Sequence, residues 1–454
     1  MPEARSPFAF ANIRWFIAFR VLFNARFYYP ILTIFFLDVG LTLEQFFLLN
    51  AVWAVSIVGL EVPSGAFADT FGRQRLVYLA SLCMVVEMAL LAFLPMGDNT
   101  LVFWVILLNR VISGVAEAFA SGADEALAFD TLKQHGQEDK WPQVLDLLMR
   151  ISSGGFLVAM LVGAAVYDAG LLNRVLAFFG SDLMLTPEQT LRFPIYLTLL
   201  NAVGAVIAAS RLKEPACAKE VDDEPKSARE AFALTLRTGK WILGTPFVLG
   251  LIILAMSYDS IIRMMLTINS EYFRIIQLPE SLFGVLGAAM GAMGLVLPIY
   301  ARKLVEARSL QWNMAALGIC LLAGLIGVAL AIPYWGAVPM LLIGGGMFMM
   351  NFFLSHYLNA AVDSKHRATV LSFRSLACNI SYGLAGLIYM GATLGFRAET
   401  TPEVTEQEAN NQVFMQLLTW SPVLFLGVLV ALFFFVRPLL KDMHATEQTP
   451  SSGQ

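Results

Sequence analysis

The chain is poor in charge and poor in the residues that build reactive centres. Only 14% of its 454 residues are Asp, Glu, Lys or Arg, against about a quarter in soluble globular proteins. A water-soluble fold of this length is excluded. Histidines and cysteines number 4 each, and Cys83, Cys217, Cys320 and Cys378 lie far apart, three in apolar runs and one in a polar loop. That spacing suits neither a disulfide framework nor a zinc site, so no metal and no other cofactor is expected. Lys and Arg number 30 against 34 acids, a net charge of -4, which leaves no basic surface to follow nucleic-acid phosphates. The nucleotide loop GxxxxGK[ST] and the zinc motif HExxH are absent too, removing the machinery of an ATP-driven pump or a membrane metalloprotease. No enzyme is expected.

What the chain has in abundance is apolar length. Hydrophobic residues make up 58% of it, and its mean hydropathy is +0.68. A bilayer core about 30 Å thick needs roughly 20 helical residues to cross. Apolar runs of that order cover residues 13–37, 46–67, 76–95, 101–129, 144–166, 193–210, 247–269, 280–300, 310–333, 337–358, 368–389 and 413–436. This predicts an all-α polytopic membrane protein with twelve transmembrane helices. The first run is too long for a cleaved signal, contains Arg20 and Arg26, and lacks a small-residue cleavage site. With the N-terminus inside, 20 of the 30 bases fall on inner loops and only Arg174, Arg192, Arg274 and Arg397 on outer ones. Both termini are therefore expected in the cytoplasm.

A polar stretch with Pro215 and Pro225, residues 211–240, reads as a linker between an N-terminal part, 1–210, and a C-terminal part, 241–444. Residues 445–454 read as a disordered tail, and Leu171 to Phe179 as a short interfacial helix. GLEVP at Gly59 to Pro63 and GLVLP at Gly294 to Pro298 lie 235 residues apart, and the same offset matches Arg73 with Arg308 and Asn24 with Asp259. Two pseudo-symmetric six-helix bundles follow, with a binding site expected at their interface.

The fourth run carries a polar face. At 100° per residue, Arg110, Ser113, Gly114, Glu117, Ser121 and Asp124 fall within an arc of about 100°. Glu117 lies near mid-span, where an ionisable side chain needs a cavity or a partner. Arg110 is about 10 Å away along the axis, within reach only by stretching or through water. Asp146 and Arg150, like Asp259 and Arg263, have the i,i+4 spacing of a pair on one helix. Arg374 lies two turns inside its run, as Arg150 does. Arg20, Asn24 and Tyr28 share one face of the first run, where Arg20 can snorkel to the interface while Arg26 cannot. Glu87 and His356 stand alone and read as packing residues.

Between the second and third runs the chain reads GAFADTFGRQR, the pattern GxxxDxxGRxR with Gly65, Asp69, Gly72, Arg73 and Arg75. Here it resembles the major facilitator superfamily, although Thr70 stands where that family usually has Arg. The glycines suit a tight turn, Asp69 suits a helix N-terminus, and Arg73 suits an acid at a neighbouring helix end, with Asp130 the natural partner. The resemblance implies alternating access, with this loop as a cytoplasmic latch. Arg110 and Gly114 also fit the RxxxG pattern of proton-coupled members, which implies that Arg110 modulates the protonation of a carboxylate, Glu117 first and Asp124 second. The expected substrate cavity includes Asn24, Arg26, Tyr28, Arg150, Asp259, Arg263 and Arg374. The Gly-Pro run of the family's antiport signature is missing from helix five, which has Gly154, Gly155 and Gly163 but no proline.

The expected function is proton-coupled export of a small organic solute by a monomer in a bacterial inner membrane. Its partners would be the solute, protons and the lipid bilayer. Uptake of an organic anion, or a non-transporting receptor or assembly factor on the same fold, are the alternatives. Topology gives a direct test. In a background lacking the four native cysteines, a cysteine in 211–240 should react with an impermeant reagent only from the inside, and one in 399–410 only from the outside. Labelling of both from one face overturns the twelve-span arrangement.

Overall fold

A computed structural model of the chain describes residues 6–215, 228–362, 364–399 and 405–440. These residues are helical, with no strand among them. The helices are α1 (Ala11–Asn24), α2 (Leu32–Asp38), α3 (Leu43–Phe71), α4 (Arg73–Ala92), α5 (Asn99–Ala120) and α6 (Ala123–Gln134). After them come α7 (Trp141–Tyr167), α8 (Ala169–Phe178), α9 (Pro187–Thr190), α10 (Phe193–Arg211), α11 (Ala228–Leu243) and α12 (Pro246–Thr267). The last are α13 (Asn269–Ile275), α14 (Ser281–Ala307), α15 (Leu310–Ala329), α16 (Ala337–Ala361), α17 (Ser364–Ala398) and α18 (Glu406–Leu439). Helix α11 occupies the second part of the expected linker; residues 216–227 and the C-terminal tail lie outside the described residues.

Among the described residues, 10 helical stretches are long and apolar enough to cross a membrane. Two of the twelve expected runs fall outside that set for different reasons. Helix α17 is 35 residues long but carries Arg374, Asn379 and Ser381, so its apolar character is diluted. The first run is not one helix. It breaks after Asn24, where Ala25 leaves helical geometry at φ -80° and ψ 79°, and resumes through a 3-10 turn, Tyr29–Ile31, into α2.

Two further expectations are corrected. The fourth run also breaks, because Gly122 takes a left-handed φ of 79°, a conformation that costs glycine little. The polar face drawn from Arg110 through Asp124 therefore ends at Ala120, and Asp124 opens a new helix. The motif between runs two and three is not a loop over its length: α3 continues through Pro63 and Gly65 to Phe71, and the turn is made by Gly72 alone, at φ 93°. Pro298 of the second repeat likewise lies inside α14.

The chain forms two compact units. The first holds Met1–Leu41, Val52–Ala233 and Pro279–Ala288; the second holds Thr42–Ala51, Leu234–Leu278 and Ala289–Gln454. In the first, α4 packs on α5 and α10, and α1 on α10 and α7; in the second, α12 packs on α16 and α17, and α15 on α16 and α18. Small residues permit the closest approaches: Gly114 faces Ser56 and the Trp53 carbonyl, and Gly346 faces Leu321. Asp168 joins α8 to the start of α14 by accepting from the amides of Leu171, at 2.9 Å, and Ser281, at 3.2 Å. Partial burial works against its charge, but these donors outweigh burial and hold the carboxyl below the usual carboxylate range.

The irregular backbone at residues 25–28 is satisfied by α10. Thr198 accepts from the Phe27 amide at 3.0 Å, and Asn201 donates to the Ala25 carbonyl at 2.8 Å. Non-helical backbone at membrane depth requires such partners. On the other side the segment presses against α7, where a Cβ on Gly163 would fall 1.8 Å from the Phe27 carbonyl oxygen. Backbone cannot yield as a flexible side chain would. Gly163→Ala should lower the melting midpoint in detergent, with a cost of about 1–3 kcal/mol or more. Gly154→Ala, at a position with nothing within 4 Å, should leave it unchanged; equal midpoints for the two variants refute the close contact.

Candidate functional site

The break in the first span puts Arg26 inside the first unit, where it is 2% exposed. Its Nη1 donates to Glu87 Oε1 on α4 at 2.8 Å, and its Nη2 to Glu117 Oε1 on α5 at 2.8 Å. A guanidinium can serve two carboxylates at once because its donors form a planar fork; a lysine ammonium could not hold both in this geometry. Tyr28 lies beside it, its hydroxyl 3.3 Å from Nη1, and the rings of Phe23 and Tyr29 lie 5.4 and 6.0 Å from the guanidinium carbon. The two acids differ in access. Glu87 is fully buried, whereas the Glu117 side chain is 31% exposed.

The expectations for Arg110, Glu87, Asp124 and Arg20 meet a different geometry. Arg110 does not meet Glu117: its Nε donates to Asn109 Oδ1 at 3.1 Å, and its guanidinium stacks 5.0 Å from the Phe36 ring. Asn109 in turn donates to the Glu87 carbonyl at 2.7 Å, so Arg110 supports α4 through an intermediary. Glu87, expected to be a packing residue, is an ion-pair partner. Asp124 is drawn away from Glu117 by the break at Gly122 and pairs with Arg20 at 3.0 Å, while Glu125 takes the other arm of Arg20 at 2.9 Å. Arg20 is therefore held by acids and does not merely snorkel. Asn24 is exposed and donates to the Arg20 carbonyl.

At the start of α4, Arg73 forms a buried ion pair with Asp130 of α6. The same helix end is capped from outside the motif: Glu214 accepts from the amides of Arg73, at 3.2 Å, and Gln74, at 2.8 Å. A carboxylate at a helix N-terminus meets both unpaired N–H groups and the positive end of the helix dipole. Arg75 is exposed. The Asp69 side chain and the surroundings of Gly65 lie outside the described residues.

In the second unit, Asp259 and Arg263 pair along α12 at 2.6 Å. Arg263 also donates to Asn379 Oδ1 at 3.1 Å and to the Cys378 carbonyl at 2.8 Å, and it lies 4.6 Å from the Tyr382 ring. Asp259, Arg263, Cys378 and Asn379, with Arg374 of α17, line a polar cavity of about 150 Å³. Asp146 and Arg150 pair at 2.9 Å on an exposed face of α7.

The sequence matches a known family. A model of the Major Facilitator Superfamily aligns with residues 14–386. The chain belongs to that superfamily. It is a membrane transporter and not an enzyme. Solved structures similar to this transporter include the nucleoside transporter NupG, 12% identical, with 95% of this chain and 98% of that one covered and a TM-score of 0.68. A bacterial homologue of the human lysosomal transporter Spinster, inward-facing and occupied, is 15% identical over 97% and 99% of the two chains, also with a TM-score of 0.68. Among curated relatives, the multi-drug resistance efflux pump PmrA of Streptococcus pneumoniae is 26% identical over 186 residues, which is 40% of this transporter. The match spans 44% of the pump's own length.

Thr198, Asn201 and Glu214 had no motif to reveal them. For Glu87 a signal was present, since an acid in the middle of an apolar run has a functional partner by default. Arg26 tests the charge balance of the transporter's core. Arg26→Met strands two carboxylates and should cost about 3–5 kcal/mol, whereas adding Glu87→Met and Glu117→Met should recover most of that loss. Thermal unfolding of the unaltered protein, the single and the triple variant reads the difference, and a triple variant no more stable than the single one contradicts the shared pairing.

Proposed function

We propose that this transporter exports a small organic solute in exchange for protons, by alternating access, with the Arg26 cluster as its proton site. The observation that carries the reading is one guanidinium shared by two carboxylates of unequal access. With both acids ionised the trio has a charge of -1 in a poorly hydrated setting, and one bound proton neutralises it. Neither Arg26 Nε nor Glu87 Oε2 has a hydrogen-bond partner among the described residues, so the cluster is under-satisfied in its ionised form. The proton goes to Glu117, which water can reach. Its arrival releases one arm of Arg26 and loosens the link between the first span and α5, while Glu87 keeps the arginine in place. Arg110 and Asp124 act at one remove, through Asn109 and Arg20.

In this reading the chain has the superfamily's two six-helix halves, crosses a bacterial inner membrane twelve times as a monomer, and keeps both termini in the cytoplasm. Arg73 and Asp130, with Gly65, Asp69, Gly72 and Arg75 around them, form the latch that closes the cytoplasmic side. Asn24, Tyr28, Arg150, Asp259, Arg263 and Arg374 belong to the solute path. The partial likeness to an efflux pump supports export over uptake.

Proteoliposomes with an imposed pH gradient test the assignment, using a solute found by comparing deletion and overexpression strains. Glu117→Gln keeps size and hydrogen bonding but cannot ionise. It should abolish gradient-driven flux while sparing solute exchange. Unaltered gradient dependence in this variant makes Glu117 structural and moves the proton to another carboxylate.

A further inference from the structure

The cavity of the second unit has a charge imbalance that the proton site does not explain. Two of its lining residues are arginines, Arg263 and Arg374, and its one acid is Asp259. Arg263 is neutralised by Asp259 and immobilised by Asn379, the Cys378 carbonyl and the Tyr382 ring. Its Nε, buried, donates to nothing among the described residues. Among the described residues Arg374 makes no hydrogen bond and no ion pair; the acid that acts on it is Asp259, already paired with Arg263, so the cavity keeps a surplus of one positive charge. A half-buried guanidinium without a counter-charge of its own is costly in a membrane protein and marks a ligand site.

We infer that this cavity binds the head group of the transported solute and that the solute is a small organic monocarboxylate. The inference rests on the reading of the chain as a solute transporter. One negative charge balances the surplus of one positive charge; a dianion would overshoot and meet Asp259. A carboxylate also has the two-oxygen edge that matches a guanidinium fork, so Arg374 offers paired donors. Asn351 adds an amide at the rim, and Ala255, Met350 and Leu354 supply an apolar wall for the carbon body. The volume of about 150 Å³ suits a short chain or a single ring. Asp259 holds Arg263 in position, and that pair survives whether or not the anion is present because it is made within one helix.

The test uses the purified full-length protein in nanodiscs, titrated with acetate through benzoate, the neutral isostere benzamide and the dianion phenylphosphonate. Carboxylates should bind and raise the thermal midpoint, while benzamide and phenylphosphonate should not. Arg374→Ala should weaken benzoate binding about tenfold or more, the loss expected for a charge-assisted hydrogen-bonded contact. Arg374→Lys, which keeps charge without the fork, should fall between. Equal binding of benzamide, preference for the phosphonate, or an Arg374→Ala variant that binds benzoate normally overturns the proposal. Flux of the same protein in proteoliposomes separates the two readings. Gradient-driven transport of a solute without carboxylate binding removes this inference and leaves proton coupling standing; carboxylate binding without any flux removes the transport reading itself.

Discussion

One arginine placed where the first span stops being a helix organises the first unit. Arg26 needs an irregular backbone to face inward, and that backbone needs Thr198 and Asn201 to satisfy its exposed groups and Gly163 to let it lie against α7. The arginine in turn needs both Glu87 and Glu117, since a buried guanidinium with a single arm engaged would leave most of its donors without partners. Three helices are tied by this one side chain. The buried arginine is stable only while acids offset its charge.

The second unit solves the problem of a buried charge differently. Asp259 and Arg263 lie on one unbroken helix and satisfy each other locally, so no backbone distortion is required. What remains is Arg374, contributed by a neighbouring helix without an acid of its own. The first unit gathers two acids on one shared base, and the second lines a cavity with two bases and one acid.

The helix end at Gly72 shows how a motif and its structural setting combine. Arg73 and Asp130 are 57 residues apart and meet because α4 and α6 pack together. Glu214 completes the same helix end from beyond α10, with no place in the motif. A signature loop thus carries part of the contact set, and the surrounding helix ends carry the rest.

Membrane residence and the all-helical class were written in the apolar runs, because a bilayer imposes a length that composition reveals directly. The Asp146–Arg150 and Asp259–Arg263 contacts were legible too, since helical pitch alone brings i and i+4 together. The Arg73–Asp130 contact was legible from the motif with its neighbouring acid. The partner of Glu117 was not. Arg26 and Glu117 are 91 residues apart, and Arg26 and Glu87 are 61 apart; their meeting depends on a helix break that no periodicity encodes. Gly122 is likewise a small residue in an apolar run until packing selects its left-handed conformation, which sends Asp124 to Arg20. Sequence alone determined what must be buried and what can pair along one helix; only tertiary structure decided which charges meet across helices, because backbone breaks and interhelical packing set those distances.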